Sequence, residues 1–172
     1  MSRRSLNYYQ HNFKLLPVKK LELFLHKKIK LIIANAKAVK KNLINEGAPE
    51  EKVKLIYNGF IKPKKEIGIS PDNLKKKLGI KKNTFVFLVL ANLIPYKNHK
   101  LVIEAVDSLR KIVKKEFKVI FLGSGKDAYK KFLKNLIKEK KIKKYFIFKN
   151  KTKNIQTFLQ ITNVGISSSL EE

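Results

Sequence analysis

The chain has 172 residues with Lys+Arg 40 and Asp+Glu 13, a formal net charge of +27. Hydrophobic residues make up 44% and charged residues 31%, so it can bury a core and is not a disordered polyelectrolyte. Cysteine is absent, which excludes disulfides and thiolate metal sites, and His11, His26 and His99 lack ligand spacing, so no metal is expected.

The opening MSRRSLNYYQHNFKLLP has basic residues without an apolar segment, and no signal peptide is expected. Residues 18–29 are predicted as an amphipathic helix with Leu21, Phe24, Leu25 and Lys28 on a mixed face. KLIIA (30–34) is a short β-branched strand. Asn35 then stands where it can cap a helix carrying Val39, Leu43 and Ile44 at helical spacing, with Gly47 as its stop. A second strand, 53–57, ends in Asn58-Gly59, a pair suited to left-handed turn geometry.

IKPKKEIGISPD (61–72) has proline, glycine and charge without periodicity and reads as a linker, with a short helix after it. The pattern then becomes regular. Strands at 84–91, 117–123, 145–149 and 163–169 alternate with helices at 98–115, 126–140 and 153–160. This βαβαβαβ order predicts an α/β fold with a parallel sheet covered on both faces. Leu101, Val102, Ala105, Leu109, Ile112 and Val113 form one predicted core stripe; Tyr129, Phe132, Leu133, Leu136 and Ile137 form another. The longest uncharged run, NTFVFLVLANLIPY (83–96), contains a proline and is too short to span a bilayer.

In such a sheet, ligands sit outside the carboxyl ends of the strands where the order reverses. With the order 3-2-1-4, ANLIPYKNH leaves the first strand and SSSLEE leaves the fourth, so Lys97 and Glu172 would approach each other. Cations at the start of a helix oppose its dipole, yet Lys97, His99 and Lys100 gather there. Spacing alone leaves two readings: Lys97 and free helix amides form an anion site, or both lysines face solvent while Asn98 caps the helix. Gly123-Ser124-Gly125 is a second strand-to-helix turn. It is neither a P-loop nor a dinucleotide fingerprint, and either ligand approach or a tight turn accounts for it. Ser167, Ser168 and Ser169 end a strand without a nucleophile elbow and read as ordinary strand-end hydroxyls.

The charge favours a polyanionic partner. The lysines are dispersed, however, and no arginine-aromatic stripe is present, which argues against nucleic acid. Peripheral contact with an anionic membrane remains, at about 1 kcal/mol per lysine near the lipid.

Four segments, KLIIANAKAVKKNLINEGAPEEKVKLIYNGF, FVFLVLANLIPYKNHKLVIEAV, FKVIFLGSG and NVGISSSLEE, together resemble the retaining GT-B glycosyltransferases of glycosyltransferase family 4, or group 1. The resemblance implies two Rossmann-like domains in the parent. Residues 1–60 would be the end of the acceptor-side domain, 61–82 the linker and short helix, and 83–172 the first half of the donor domain. It implies a UDP- or GDP-linked sugar donor with no further cofactor, and a glycan or lipid-linked acceptor at the cytoplasmic membrane face.

On that resemblance Lys97 contacts the donor diphosphate, Gly123 and Gly125 line the donor cleft, and Lys149 and Asn150 lie near the base. Glu172 is the first glutamate of the family's pair and meets the sugar hydroxyls. Asn92 stands where many members carry an arginine, and the second glutamate would lie beyond residue 172, so an incomplete and inactive piece of a larger enzyme is expected. The rival readings are a GT-B sugar phosphorylase relative and a basic nucleic-acid-binding module.

Overall fold

The computed structural model describes residues 2–3, 16–59 and 68–170. The chain divides into two compact units, residues 1–62 and residues 63–171. Most of the predicted linker and Glu172 lie outside the described residues.

In the first unit, β1 (Ser2–Arg3), β2 (Ile32–Ala34) and β3 (Val53–Leu55) form a parallel sheet in that order, joined to α1 (Leu16–Lys28) and α2 (Lys37–Asn45). Ile32, Ala34, Val53 and the helical Val39 and Leu43 are buried together, as the spacing of the apolar residues requires. Gly47 ends α2 in left-handed geometry, φ 98°.

Three local expectations differ. The residue before α2 is Ala36, and no side chain caps the helix, because the strand turns into it one residue later than Asn35 would need. Neither Asn58 nor Gly59 is left-handed, and β3 stops at Leu55, two residues short of the predicted strand end. Leu21, Phe24 and Leu25 are exposed on α1, while His26 is buried with its Nε2 3.8 Å from the Glu22 carboxylate.

The second unit is built on β4 (Phe85–Leu90), β5 (Phe117–Leu122), β6 (Phe146–Lys149) and β7 (Val164–Gly165). All four are parallel and lie in the order β6-β5-β4-β7, which is the predicted 3-2-1-4. Side-chain alternation sorts the core into two layers. Phe117, Val119 and Phe121 of β5 point to α4 (His99–Ile112) and α5 (Asp127–Glu139), where they meet Val102, Ile103, Val106, Leu133 and Ile137. Ile120 and Leu122 point the other way, with Val86 and Leu88, toward α3 (Pro71–Lys77) and α6 (Ile155–Gln160). There Leu74 and Phe158 close the layer. The Ser70 hydroxyl caps α3 by accepting from the Asn73 amide at 3.3 Å, and Pro71 takes the first helical position.

The buried face of α4 is turned relative to the predicted stripe. His99, Val102, Ile103 and Val106 are buried, whereas Leu101 is 51% and Ile112 79% exposed. The imidazole takes an apolar position at the head of the helix, so the stripe starts at residue 99 rather than 101. Leu101 and Ala105 instead border a groove of about 370 Å³ with Phe87 and Ile166. On α5, Phe132 is half exposed and stacks on Tyr129 at 5.9 Å.

Beyond the ends of β4 and β5 the two connecting loops continue in parallel. The Leu93 amide donates to the Ser124 carbonyl at 2.8 Å, and Leu93 bridges Gly125. A Cβ on Gly123 would overlap the Ala91 carbonyl oxygen, and one on Gly125 the Leu93 carbonyl oxygen. Gly123→Ala is therefore expected to destabilise the unit by about 1–3 kcal/mol, the range for overpacking a closed site. Gly165→Ala, whose Cβ would meet nothing within 4 Å, should be close to neutral. Urea unfolding of both variants measures the difference.

Candidate functional site

The order β6-β5-β4-β7 places the reversal point of the sheet at β4, and the loops leaving β4, β5 and β7 lie at the carboxyl end, where sheets of this kind hold ligands. After β4 the chain makes a 3-10 turn over Pro95–Lys97, and Asn98 then adopts left-handed geometry, φ 51° and ψ 43°, before α4 begins at His99. Asn98 does not cap the helix with its side chain, because a left-handed residue turns away from the extended geometry that a capping side chain needs. The first turn of α4 also has no acidic residue. Its amides therefore keep the partial positive charge of a helix start.

The three cations at this start have different fates. Lys100 lies 3.6 Å from Glu104. His99 is fully buried, its ring edge-on to Phe121 at 5.0 Å and to Tyr129 at 6.3 Å. Burial, reinforced by the nearby charge of Lys97, lowers its pKa from 6.5 to about 4. It is thus a neutral aromatic filler at pH 7. Lys97 is half-buried with its Nζ 5.0 Å from the Tyr96 ring centroid.

The segment after β7 lies along the same loop. The Ser168 hydroxyl donates to the Lys97 carbonyl at 2.8 Å, and the Leu170 amide donates to the Tyr96 carbonyl at 2.9 Å. The chain leading to Glu172 is thus joined to the Lys97 loop as far as the described residues run. Nothing in the sequence distinguishes Ser168 from its serine neighbours, because a hydroxyl that fixes a backbone carbonyl leaves no pattern of its own.

The other predicted residues fall into two cavities. Asn92 and Gly123 border one of about 300 Å³ together with Lys151 and Thr152. Lys149 and Asn150 border another of about 210 Å³, beside Leu74 and Phe158, and Thr152 borders both. Gly123 donates its amide to the Lys149 carbonyl at 3.0 Å, and Asn150 accepts from Lys130 Nζ at 3.2 Å, so the two cavities share one wall. Gly125 packs on Leu93 instead of bordering either cavity. Lys151 is invisible to sequence reasoning, since one lysine in so basic a chain carries no signal. Among the described residues no cluster of His, Asp and Glu could hold a metal ion, and no helix is long and apolar enough to cross a membrane.

The family model for "Glycosyl transferases group 1" matches residues 70–172, more than half of the chain. The chain belongs to the group 1 glycosyl transferases. No curated protein matches it.

Similar solved structures include Anabaena Alr3699/HepE in complex with UDP, with a TM-score of 0.79 at 21% identity over 98% of this chain and 46% of that one. A glycosyltransferase from Rickettsia africae superposes with a TM-score of 0.73 at 20% identity over 90% of this chain and 42% of that one. WaaG, a glycosyltransferase involved in lipopolysaccharide biosynthesis, gives 0.67 at 14% identity over 81% and 38%. The fold of this group 1 chain is part of a GT-B glycosyltransferase fold, and the chain spans less than half the length of these relatives.

The buried imidazole gives this group 1 domain a pH dependence of known sign. Between pH 6.5 and about 4 the unfolded chain takes up a proton that folded His99 refuses. Its contribution to stability is complete above 6.5 and is lost as the pH falls through that window. His99→Phe, which keeps an aromatic ring against Phe121, should make the fall between pH 7 and 4.5 shallower. Urea midpoints at the two pH values for both proteins measure this.

Proposed function

We propose that this chain is part of a retaining glycosyltransferase that moves a sugar from a nucleotide-sugar to a glycan or lipid-linked acceptor in cell-surface polysaccharide synthesis. The observation that carries the reading is the pairing of the Lys97 loop with the segment after β7 at the carboxyl ends of the strands, through Ser168 and Leu170. Anabaena Alr3699/HepE in complex with UDP and with UDP-glucose supports a nucleotide-linked donor. We read residues 1–60 as the end of the acceptor-side domain, 61–82 as the connection and 83–172 as the start of the donor domain.

The chemistry is set by charge. When the sugar leaves, negative charge grows on the nucleoside diphosphate, and a fixed cation beside it lowers the barrier because that stabilisation is larger in the transition state than in the bound donor. Lys97 has this role, aided by the uncapped first turn of α4. Glu172 holds the sugar hydroxyls. Asn92 and Gly123 receive the part of the donor next to the diphosphate, with Gly125 behind them, and Lys149 and Asn150 lie toward the base. The lysine-rich surface suits peripheral attachment to anionic lipid at the cytoplasmic membrane face.

Lys97→Ala is expected to weaken UDP binding about tenfold, the loss of one charge-assisted contact. Calorimetric titration checks this, and an unchanged affinity removes Lys97 from the diphosphate. In a product assay with UDP- and GDP-sugars, the 172-residue chain should bind nucleotide without transferring sugar. Measurable transfer would overturn the reading of the chain as an inactive piece.

A further inference from the structure

We propose that the amino-terminal end of the four-stranded sheet holds a second anion site, for a phosphate-bearing ligand. Three connections that enter strands meet there: Lys82, Asn83 and Thr84 before β4, Lys115 before β5, and Asn163 before β7. With Lys75 and Phe85 they line a cavity of about 430 Å³ that has three lysines and, among the described residues, no carboxylate. A neighbouring cavity of about 450 Å³ shares Lys82, Asn83, Thr84 and Lys115 and adds Lys81 and Glu116. The Glu116 carboxylate is engaged by Lys81 at 3.0 Å. β4 runs Phe85–Leu90, roughly 20 Å at the usual rise of a strand, so this site is separate from the loop that carries Lys97.

Cations in the last turn of a helix are explained by its dipole. That account covers Lys75, in the last turn of α3, whose Nζ donates to the Lys82 carbonyl at 3.2 Å. It does not cover Lys82 and Lys115, which lie outside the helices and form no ion pair with a described carboxylate. The Lys115 Nζ lies 5.9 Å from the centre of the Phe85 ring, at the cavity wall.

Thr84 supplies an independent observation. It borders both cavities while only 3% exposed, and its buried hydroxyl has no hydrogen-bond partner among the described residues. A hydroxyl so placed is costly unless something pairs with it. Asn163 points to the same chemistry. Its Oδ1 accepts from the Val86 amide at 2.8 Å, so its carboxamide has only the NH2 group left to offer at the cavity. Ammonium groups, a carboxamide N–H and a hydroxyl form a donor set that suits an oxyanion. Two lysines without a carboxylate partner match more than one negative charge, as a phosphate monoester or a pyrophosphate carries.

The test is an NMR titration of the 172-residue chain with inorganic pyrophosphate at fixed ionic strength, read at the amides of Asn83, Thr84, Lys115 and Asn163. These amides should shift saturably. Lys82→Ala and Lys115→Ala should each weaken the affinity read there about fivefold, and Thr84→Val, which removes the hydroxyl at nearly constant volume, about threefold. Lys114→Ala lowers the net charge equally but changes a residue that borders neither cavity, and should match the wild type. Shifts spread evenly over the exposed lysines, or an affinity that Lys82→Ala and Lys114→Ala reduce alike, overturn the site. Thr84→Val binding like the wild type overturns it too, because attraction by lysines alone would survive that change. Sedimentation with phosphatidylcholine vesicles containing phosphatidic acid identifies the source of the phosphate. Vesicle binding that is lost in Lys82→Ala makes it a lipid headgroup; no vesicle binding, or binding that Lys82→Ala leaves intact, makes it a soluble phosphate. A failure of UDP to bind near Lys97 would sink the donor-site reading and leave this site standing, since the two are read at different amides.

Discussion

The loops leaving β4 and β5 run so close together that the carbonyl oxygens of Ala91 and Leu93 occupy the space where side chains of residues 123 and 125 would stand. That constraint extends parallel pairing past the ends of the strands, through the Leu93 amide and the Ser124 carbonyl. It also brings Asn92 and the glycine turn to one wall of a cavity. The glycines are required by packing between backbones, whatever ligand the site takes. Because a Cβ at either position would have to move a main chain rather than a flexible side chain, there is no cheap relaxation. Everything placed on those loops inherits their fixed spacing.

Electrostatics depends on how few of the lysines are placed in this way. A chain with net charge +27 attracts any anion over its whole surface, and such a field gives on-rate and solubility rather than selectivity. Selection needs cations whose backbones are held. Lys97 sits on a short helical turn whose carbonyls accept from Ser168 and Leu170. Lys100 is engaged with Glu104, and His99 is uncharged at neutral pH because its ring lies in the core beside Phe121. The cluster at the start of α4 therefore carries two lysine charges, one of them beside Glu104, and a neutral buried ring.

Periodicity carries the second unit. Four short strand segments alternating with three helical stretches predict a parallel sheet, and the usual strand order matches the one observed. The misplaced features have local causes. In the sequence His99 looks like a charge, whereas in the fold it is a core ring, so the buried stripe of α4 lies one step around the helix from Leu101 and Ile112. Asn35, Asn58 and Gly59 have the chemistry of caps and turns, but Ala36 takes the position before α2 and neither Asn58 nor Gly59 is left-handed. In the site, the glycines and Lys97 are visible as motif positions. Ser168 and Lys151 are not, because their contacts join elements far apart in sequence and their residue types are common here.

Right-handed crossovers explain how the strand order comes to reverse beside β4. Passing from β4 to β5 and β6 moves in one direction and puts α4 and α5 on one face; returning from β6 past β4 to β7 reverses the direction and puts α6 on the other, with α3. At the reversal β7 pairs with β4, and the segment after β7 runs along the loop after β4, held through the Lys97 and Tyr96 carbonyls by Ser168 and Leu170. On the other side of β4 the loop pairs with that of β5 through Leu93 and Ser124. An anion placed at this end would meet the start of α4, whose first turn has no side-chain cap and no acidic residue.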